Sequence, residues 1–292
     1  MPRSSISSTE YTTRFAPSPT GLLHKGHAYS ALAAFNQAKE CGGRFLLRIE
    51  DIDQGRCRPA FINAIYKDLA WLGLTWEQPV RRQSEHFGDY GAALQVLKNM
   101  GVAYPCFCTR KDIQQEIKQA PSAPHGSEGP IYPGTCRALD QTESAERIAA
   151  GQSHAWRLNL AAALAITGTN LIWQDQIHGT ITAKPELLGD IVLARKDTPT
   201  SYHLSVVWDD ALQRVTHIVR GEDLLEATHI HVVLQKLLDL PTPKYRHHKL
   251  LVGGDGKRFA KRDKALTLAA LRESGTDAET LIASLPEYIG QG

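Results

Sequence analysis

The sequence lacks the features of a membrane or secreted protein. It contains no apolar run near the roughly 18 residues that a membrane-spanning helix needs. Its first residues, MPRSSISSTE, are polar and have no apolar stretch of the kind found in signal peptides. These absences predict a soluble protein that has no membrane partner and works in the cytoplasm.

Cysteine is also scarce, with five residues among 292. That number is odd and too low for a disulfide scaffold. Cys106, Cys108 and Cys136 nevertheless lie close together in the sequence, which in a reducing compartment indicates a metal site more than disulfides. Three thiolates could hold a tetrahedral Zn²⁺ with Tyr132 or His125 as the fourth ligand. Three partly buried free thiols are an equal alternative on spacing alone.

Strong net charge is absent as well, since the formal net charge is +2. The segment 244–264 is the exception, because it holds eight Lys or Arg and two Asp. A local basic patch on a near-neutral protein indicates a polyanion bound at one place, and solvated surface charge is the alternative.

The N-terminal region has the pattern of a βαβ unit. TTRFAP (12–17) predicts a strand, 25–41 predicts a helix, and the apolar RFLLRIED (44–51) predicts a buried parallel strand. Ligands bind outside the carboxyl ends of such strands. The polar residues predicted at that end are Arg14, Ser18, His24, His27, Glu50 and Asp51.

Further along, helices are predicted at 61–75, 89–100 and 225–239. The Pro-, Gly- and Ser-rich stretch 119–136 is long for a loop and indicates an insertion. Strands are predicted at 154–160, 170–173, 177–182, 189–197, 201–210 and 215–223.

Two stretches have the residue types that phosphate binding needs. His24 and His27 precede a predicted helix, whose N-terminal N–H groups suit phosphate, although both rings could simply cap and pack the helix. GDGKRFAKRD (254–263) is a glycine-rich stretch with four cations, which could neutralise phosphate charge or form a flexible surface loop. The remaining histidines, including 247–248, have no metal-ligand spacing, and we interpret them as structural or solvated.

Five motifs of the sequence, taken together and in their order, resemble the catalytic core of class I glutamyl-tRNA synthetases. They are RFAPSPTGLLHKGH, RIEDID, SYHLSVVWDD, HIVRGEDLL and RFAKR. HKGH at 24–27 occupies the place of the HIGH signature, and RFAKR at 258–262 that of KMSKS. The resemblance implies an α/β fold with a Rossmann-like parallel sheet, an inserted zinc-bearing acceptor-end domain and a short helical C-terminal segment. The implied domains are the two catalytic halves 1–103 and 189–243, the insertion 104–188, and the KMSKS-like loop with a stem-contact segment, 244–292.

The resemblance also implies site residues. The catalytic residues would be His24, His27 and Lys261. The glutamate site would comprise Arg14, Phe15, Ala16, Pro17, Ser18, Glu50, Tyr202 and Arg220. ATP, with Mg²⁺, would be bound by His24, Gly26, His27, Arg258 and Lys261. One structural Zn²⁺ would be held by Cys106, Cys108, Tyr132 and Cys136.

The full-length relatives carry a helical anticodon-binding region after the KMSKS loop, and because only 30 residues follow RFAKR we expect no such domain here. A truncated branch of the family activates L-glutamate with ATP and transfers it to the queuosine base in the anticodon loop of tRNA(Asp). We expect this activity, in a monomeric enzyme. The alternatives are a minimal synthetase that charges the tRNA 3′ end and a non-catalytic tRNA-binding paralogue. Lys25, Arg258 and Ala260 depart from the signatures, which lends the paralogue some weight.

Overall fold

The computed structural model describes residues 10–113, 125–126, 129–251 and 267–286. Its helices are α1 (Lys25–Glu40), α2 (Pro59–Trp71), α3 (Phe87–Asn99), α4 (Gln141–Ala149), α5 (Leu160–Thr167), α6 (Tyr202–Leu212), α7 (Leu225–Leu237), α8 (Leu268–Glu273) and α9 (Ala278–Ala283). Its strands are β1 (Thr12–Phe15), β2 (Arg44–Ile49), β3 (Arg81–Arg82), β4 (Ala103–Cys106), β5 (His125–Gly126), β6 (Gly129–Pro130), β7 (Ala155–Leu158), β8 (Ile172–Asp175), β9 (Gly179–Thr182), β10 (Val192–Ala194), β11 (His217–Gly221) and β12 (Lys244–His248). Within these ranges, no helix is long and apolar enough to cross a membrane.

The predicted βαβ unit is confirmed. β1 and β2 pair in parallel, from Thr12 opposite Arg44 to Phe15 opposite Leu47, and α1 connects them. The face of α1 that packs on the sheet is mainly alanine, at helical spacing, with Ala28, Ala31, Ala34 and Ala38 all buried. Small side chains let the helix axis lie close to the strands, which brings its N-terminus near their carboxyl ends.

The parallel arrangement continues on the other side of β1. Thr216, just before β11, donates its backbone N–H to Thr12 O at 3.0 Å, and β11 pairs in parallel with β12. β12 in turn pairs in parallel with β8, through Tyr245 and Asp175, and β8 forms an antiparallel hairpin with β9. The carboxyl ends of β1, β2, β11 and β12 therefore meet at one edge, where an open α/β sheet binds its ligand.

A second, antiparallel sheet has the order β10-β7-β4. Its strand β4 ends at Cys106, where the cysteine-containing segment begins. The strand pairing crosses the predicted domain limits, because β7 and β8 of the predicted insertion pair with β10 of the second catalytic half and with β12 of the predicted 244–292 segment. The division into domains stays a prediction.

The predicted strand at 201–210 is wrong, because this stretch forms α6. Ser201 caps the helix by accepting a hydrogen bond from the Leu204 N–H. Nearly every side of α6 is buried, including Asp209 and Asp210. A helix enclosed on all sides has a continuous apolar run without the 3.6-residue period, so its sequence resembles that of a buried strand.

Candidate active site

A cavity of about 510 Å³ opens at the carboxyl ends of the parallel strands. It collects every described residue predicted to bind the amino acid or the nucleotide: Arg14, Phe15, Ala16, Pro17, Ser18, His24, Gly26, His27, Glu50, Tyr202 and Arg220. Arg258 and Lys261, the other two predicted residues, lie outside the described part of the chain. Asp51 is also at this end of the sheet, but its carboxylate accepts hydrogen bonds from the backbone and side chain of Ser84.

The loop after β1 is held against the end of β2 by the backbone. The Glu50 N–H donates to Pro17 O at 3.1 Å, and the Arg58 N–H donates to Pro19 O at 3.1 Å. These bonds hold the loop after β1 beside the backbone of Glu50, and residues 14–18 and Glu50 all line the cavity.

His24 and His27 cap α1 and also line the cavity. The Gly26 N–H donates to His24 Nδ1 at 3.1 Å, and the His24 N–H donates to His27 Nδ1 at 3.2 Å. A Cβ at position 26 would lie 3.0 Å from the His24 ring, so glycine permits this close approach. Capping the helix and binding phosphate are therefore compatible roles for these histidines. The rings that cap α1 also border the cavity, at the positive N-terminal end of the helix dipole.

A buried charge network lies beneath the cavity. Arg14 Nε donates to Asp210 Oδ1 at 3.1 Å, and Arg48 donates to the same oxygen at 2.8 Å and to Glu50 Oε1 at 3.1 Å. All four side chains are at most 9% exposed. Asp209 Oδ2 is also 3.9 Å from Arg48 Nε, so three carboxylates surround the two guanidinium groups and supply the compensation that buried charges require.

The network shifts the two carboxyl groups in opposite directions. Burial raises the pKa of Glu50 above its ordinary value, and the attraction of Arg48 and Arg14 does not fully offset it. Burial acts on Asp210 in the same sense, but two close guanidinium groups, of Arg14 and Arg48, hold the pKa of Asp210 below its ordinary value. Asp210 is therefore the fixed anion of the pair, and Glu50 is the one sensitive to pH.

The residues on both sides of the segment 252–266, which lies outside the described part of the chain, are close to the cavity or to a residue that lines it. Leu250 and Leu251 line the cavity, and after the gap Thr267 forms an isolated β-bridge with His24. The Leu268 N–H donates to Leu23 O at 2.8 Å, which attaches the start of α8 to the loop before α1.

Residues 10–287 match the family model described as the catalytic domain of class I tRNA synthetases for E and Q. The chain is 48% identical over 270 residues to the glutamyl-Q tRNA(Asp) synthetase of Rhodobacter capsulatus, covering 90% of this chain and 95% of that one. It is 43% identical over 287 residues to the protein of the same name from Symbiobacterium thermophilum, covering 95% and 86%. The chain belongs to the glutamyl-Q tRNA(Asp) synthetase family.

Family membership makes the protein a ligase of the aminoacyl-tRNA synthetase type, with a class I fold. Among solved structures, the glutamate-tRNA synthetase of Elizabethkingia anophelis superposes with a TM-score of 0.75 at 27% identity. The alignment covers 87% of this chain and 53% of that one, so this synthetase spans about half the length of that relative.

The three clustered cysteines of this synthetase form a second candidate site. Their Sγ atoms all lie within 4.8 Å of one another, and Tyr132 Oη is 3.4 Å from Cys106 Sγ and 3.5 Å from Cys108 Sγ. Sulfur atoms bound at about 2.3 Å to a tetrahedral Zn²⁺ lie roughly 3.8 Å apart, so the spacing fits. The side chain of His125, the alternative fourth ligand, lies outside the described part of the structure.

The protein environment already favours one thiolate in this cluster. Burial opposes ionisation of Cys136, but hydrogen bonds from Tyr132 and the Phe107 N–H hold its pKa below the ordinary value. Burial raises the pKa of Cys108 to about 12. A divalent cation stabilises neighbouring thiolates that would otherwise repel one another, so the donor set suits a soft metal ion.

Several residues of the site were not found from the sequence. Ser30 and His248 line the cavity and are joined at 2.8 Å between Oγ and Nε2, while Arg48 and Asp210 lie beneath it. Ser30 is one helical turn from Gly26, which was a usable signal. Asp210 could not be placed because its helix was predicted as a strand. In the predicted basic segment, Lys244 and Lys249 are exposed and Arg246 is half-buried, whereas Tyr245 and His247 of β12 are buried.

Proposed function

We propose that this synthetase uses ATP to activate L-glutamate and transfers the glutamyl group to the queuosine base in the anticodon loop of tRNA(Asp). One observation carries the proposal: a single cavity contains two arginines, a carboxylate and the N-terminus of α1. The names of the relatives support the same substrates.

Glutamate would bind through its three charges. Arg14 uses Nε for Asp210 and NH1 for Val219 O, so the terminal edge of its guanidinium group suits a carboxylate gripped at two points. Arg220 supplies the second cation for the second carboxylate, and Glu50 is the anion for the α-ammonium group. An amino acid with one carboxylate would leave an arginine unpaired, which favours an acidic substrate.

ATP would place its phosphates at the start of α1. The N–H groups of the first helical turn and the rings of His24 and His27 suit phosphate oxygens. Lys261 and Arg258 belong to a segment that follows the cavity-lining Leu251 and precedes Thr267, which pairs with His24, and this supports their predicted role at the phosphates. The Mg²⁺ that accompanies ATP would neutralise part of the phosphate charge.

In the first step, a glutamate α-carboxylate oxygen attacks the α-phosphorus of ATP. The bond from that phosphorus to the bridging oxygen breaks, and pyrophosphate leaves with the electron pair. Positioning and charge stabilisation account for most of the catalysis in such a transfer. The helix N-terminus, the two histidines and Lys261 would supply them.

In the second step, a hydroxyl of the queuosine cyclopentenediol attacks the glutamyl carbonyl, and AMP leaves. A second cavity, of about 740 Å³, reaches from the cysteine cluster to Tyr202, which lines both cavities. Its cations are Arg110, Arg157, Arg195 and Lys196. This neighbouring space supports entry of the nucleotide from the side of the cysteine cluster.

Zn²⁺ would have a structural role, held by Cys106, Cys108, Cys136 and Tyr132. It would tie the segment after β4 to the segment around residue 136, on one wall of the second cavity. The whole reaction draws on cytoplasmic substrates, so we infer a cytoplasmic location.

Transfer of labelled glutamate to two tRNA pools tests the proposal. One pool comes from normal cells and the other from cells unable to make queuosine. Label confined to tRNA(Asp) of the first pool, and prevented by periodate oxidation of the free cis-diol before the reaction, is the expected result. Equal labelling of both pools at a terminal adenosine would instead identify a synthetase that charges the 3′ end.

A further inference from the structure

Arg220 lies at the end of a buried polar chain that the proposed reaction does not use. Arg220 Nε donates to His247 Nε2 at 3.0 Å, and His247 Nδ1 is 2.6 Å from Asp175 Oδ2. The side chains of His247 and Asp175 are both fully buried. The three residues come from the adjacent strands β11, β12 and β8, so each strand contributes one member.

The directions of the hydrogen bonds in this series are determined by the residues at its two ends, Arg220 and Asp175. A guanidinium N–H can only donate, so His247 Nε2 must accept and carries no proton. His247 Nδ1 therefore carries the proton and donates to Asp175. Burial, together with the nearby Arg220 charge, lowers the pKa of His247 to about 4, so the ring is neutral and has this one tautomer.

Asp175 is itself held rigidly. Its Oδ1 accepts the N–H groups of Ile177 at 2.8 Å and His178 at 2.9 Å, in the turn between β8 and β9. Its Oδ2 accepts the backbone N–H of His247 at 3.1 Å in addition to the ring. The carboxylate is therefore fixed by three backbone groups before it orients the imidazole.

The remaining donors of Arg220 show what this orientation achieves. Its NH2 donates to Leu224 O at 3.1 Å and to Thr228 Oγ1 at 2.6 Å, and its NH1 donates to Tyr202 Oη at 3.2 Å. Of its five N–H groups, one on NH1 has no partner among the described residues. Arg220 and Tyr202 both line the cavity, so the chain of bonds determines which N–H is presented there.

We propose that Asp175 and His247 are positioning residues, which hold the Arg220 guanidinium group in the orientation that binds a carboxylate of the amino-acid substrate. This inference rests on the proposed function for the identity of that substrate. It gives the β8–β9 hairpin, which contributes Asp175, a role in the affinity for the amino acid although the hairpin supplies no residue that lines the cavity.

The test is the KM for glutamate and the KM for ATP in glutamate-dependent ATP–pyrophosphate exchange, with His247→Leu and His247→Gln. The Leu variant removes the acceptor, so we expect the KM for glutamate to rise at least tenfold while the KM for ATP changes less than twofold. The Gln variant can place Oε1 near the position of Nε2, and we expect it to restore the KM for glutamate to within about threefold. Asp175→Asn should raise the KM for glutamate as well, because it no longer fixes the tautomer.

His229→Leu is the matched control. His229 is also a buried histidine and packs against Trp173, as His247 does, but it lies on α7. This variant should leave both KM values unchanged even if it lowers the melting temperature. Equal changes of KM in the His247→Leu and His229→Leu variants, or no recovery with Gln in a folded protein, would overturn the positioning role.

The tautomer of His247 provides a readout that needs no activity. In ¹H–¹⁵N spectra of the His247 ring, the wild-type enzyme should show a protonated Nδ1 and an unprotonated Nε2 across the neutral pH range. A protonated Nε2 would overturn the inference directly. Wild-type enzyme without any glutamate-dependent exchange, but with the expected tautomer, would instead reject glutamate as the substrate while leaving the orientation of Arg220 intact.

Discussion

Arg14 and Asp210 form a buried ion pair, with 3.1 Å between Nε and Oδ1, although 196 positions separate them in the sequence. The pair joins the end of β1 to α6 directly below the cavity. Asp210 Oδ1 also accepts a hydrogen bond from Arg48, so one carboxylate orients two guanidinium groups. The orientation of Arg14 in the cavity thus depends on a residue of a different element.

Arg14→Lys should preserve the positive charge but lose the planar group that binds Asp210 and a carboxylate together. We expect the KM for glutamate to rise by 10- to 100-fold, which corresponds to about 1.4–2.8 kcal/mol. Exchange kinetics at saturating ATP would measure it. Arg44→Lys is the control, because Arg44 forms a similar two-bond pair with Glu77 on the surface. Similar KM values in wild type and Arg14→Lys would remove Arg14 from the amino-acid site.

Asp210→Asn should destabilise the fold, because it removes the carboxylate that Arg14 and Arg48 share and leaves Arg14 without a carboxylate in salt-bridge contact among the described residues. Removal of one member of a buried ion pair costs about 3–5 kcal/mol. Denaturant unfolding would measure the change. A loss below about 1 kcal/mol would mean that the network is not needed for folding.

The raised pKa of Glu50 predicts a pH dependence of glutamate binding. Glu50 must be ionised to bind an ammonium group, and burial makes it protonate at a higher pH than an ordinary glutamate. The KM for glutamate should therefore be constant at high pH and rise as the pH falls through this raised pKa. In Glu50→Gln the KM should be high and independent of pH over the same range. A wild-type KM that stays flat down to the ordinary pKa of a glutamate side chain, about 4.3, would contradict this role.

His24 can be tested for its two roles separately. Asparagine is a good N-cap, so His24→Asn should change the free energy of unfolding by less than about 0.5 kcal/mol. Because it removes an imidazole that would stabilise charge at the phosphates, exchange turnover should nevertheless fall by about 100- to 1000-fold. His24→Ala should show the same kinetic loss and a further stability loss of about 1 kcal/mol. Full activity in the Asn variant would show that the ring serves only as a cap.

The sequence predicts those site residues that belong to a local pattern, and it does not predict those that act through contacts between distant elements. His24, His27 and Glu50 follow from a local strand–helix–strand pattern, because the ends of parallel strands meet at one edge whatever the rest of the chain does. Asp210 and Asp175 are different: each acts across elements, through α6 and through the β8–β9 hairpin. Asp175 could not be placed without knowing that β8 pairs with β12. Asp210 could not be placed because a helix that is buried on all sides has no helical period in its sequence, so α6 was not identified.

The cysteine cluster predicts one bound Zn²⁺ per chain. Metal analysis of the purified protein should find about one equivalent, and Cys106→Ser should reduce it to below half and lower the melting temperature, because a structural metal contributes folding free energy. Cys41→Ser is the control, since Cys41 is an exposed cysteine at the end of α1. It should change neither quantity. Less than half an equivalent in the wild type, together with unchanged stability of Cys106→Ser, would mean that Cys106, Cys108 and Cys136 are free thiols that pack with Tyr132 without a metal.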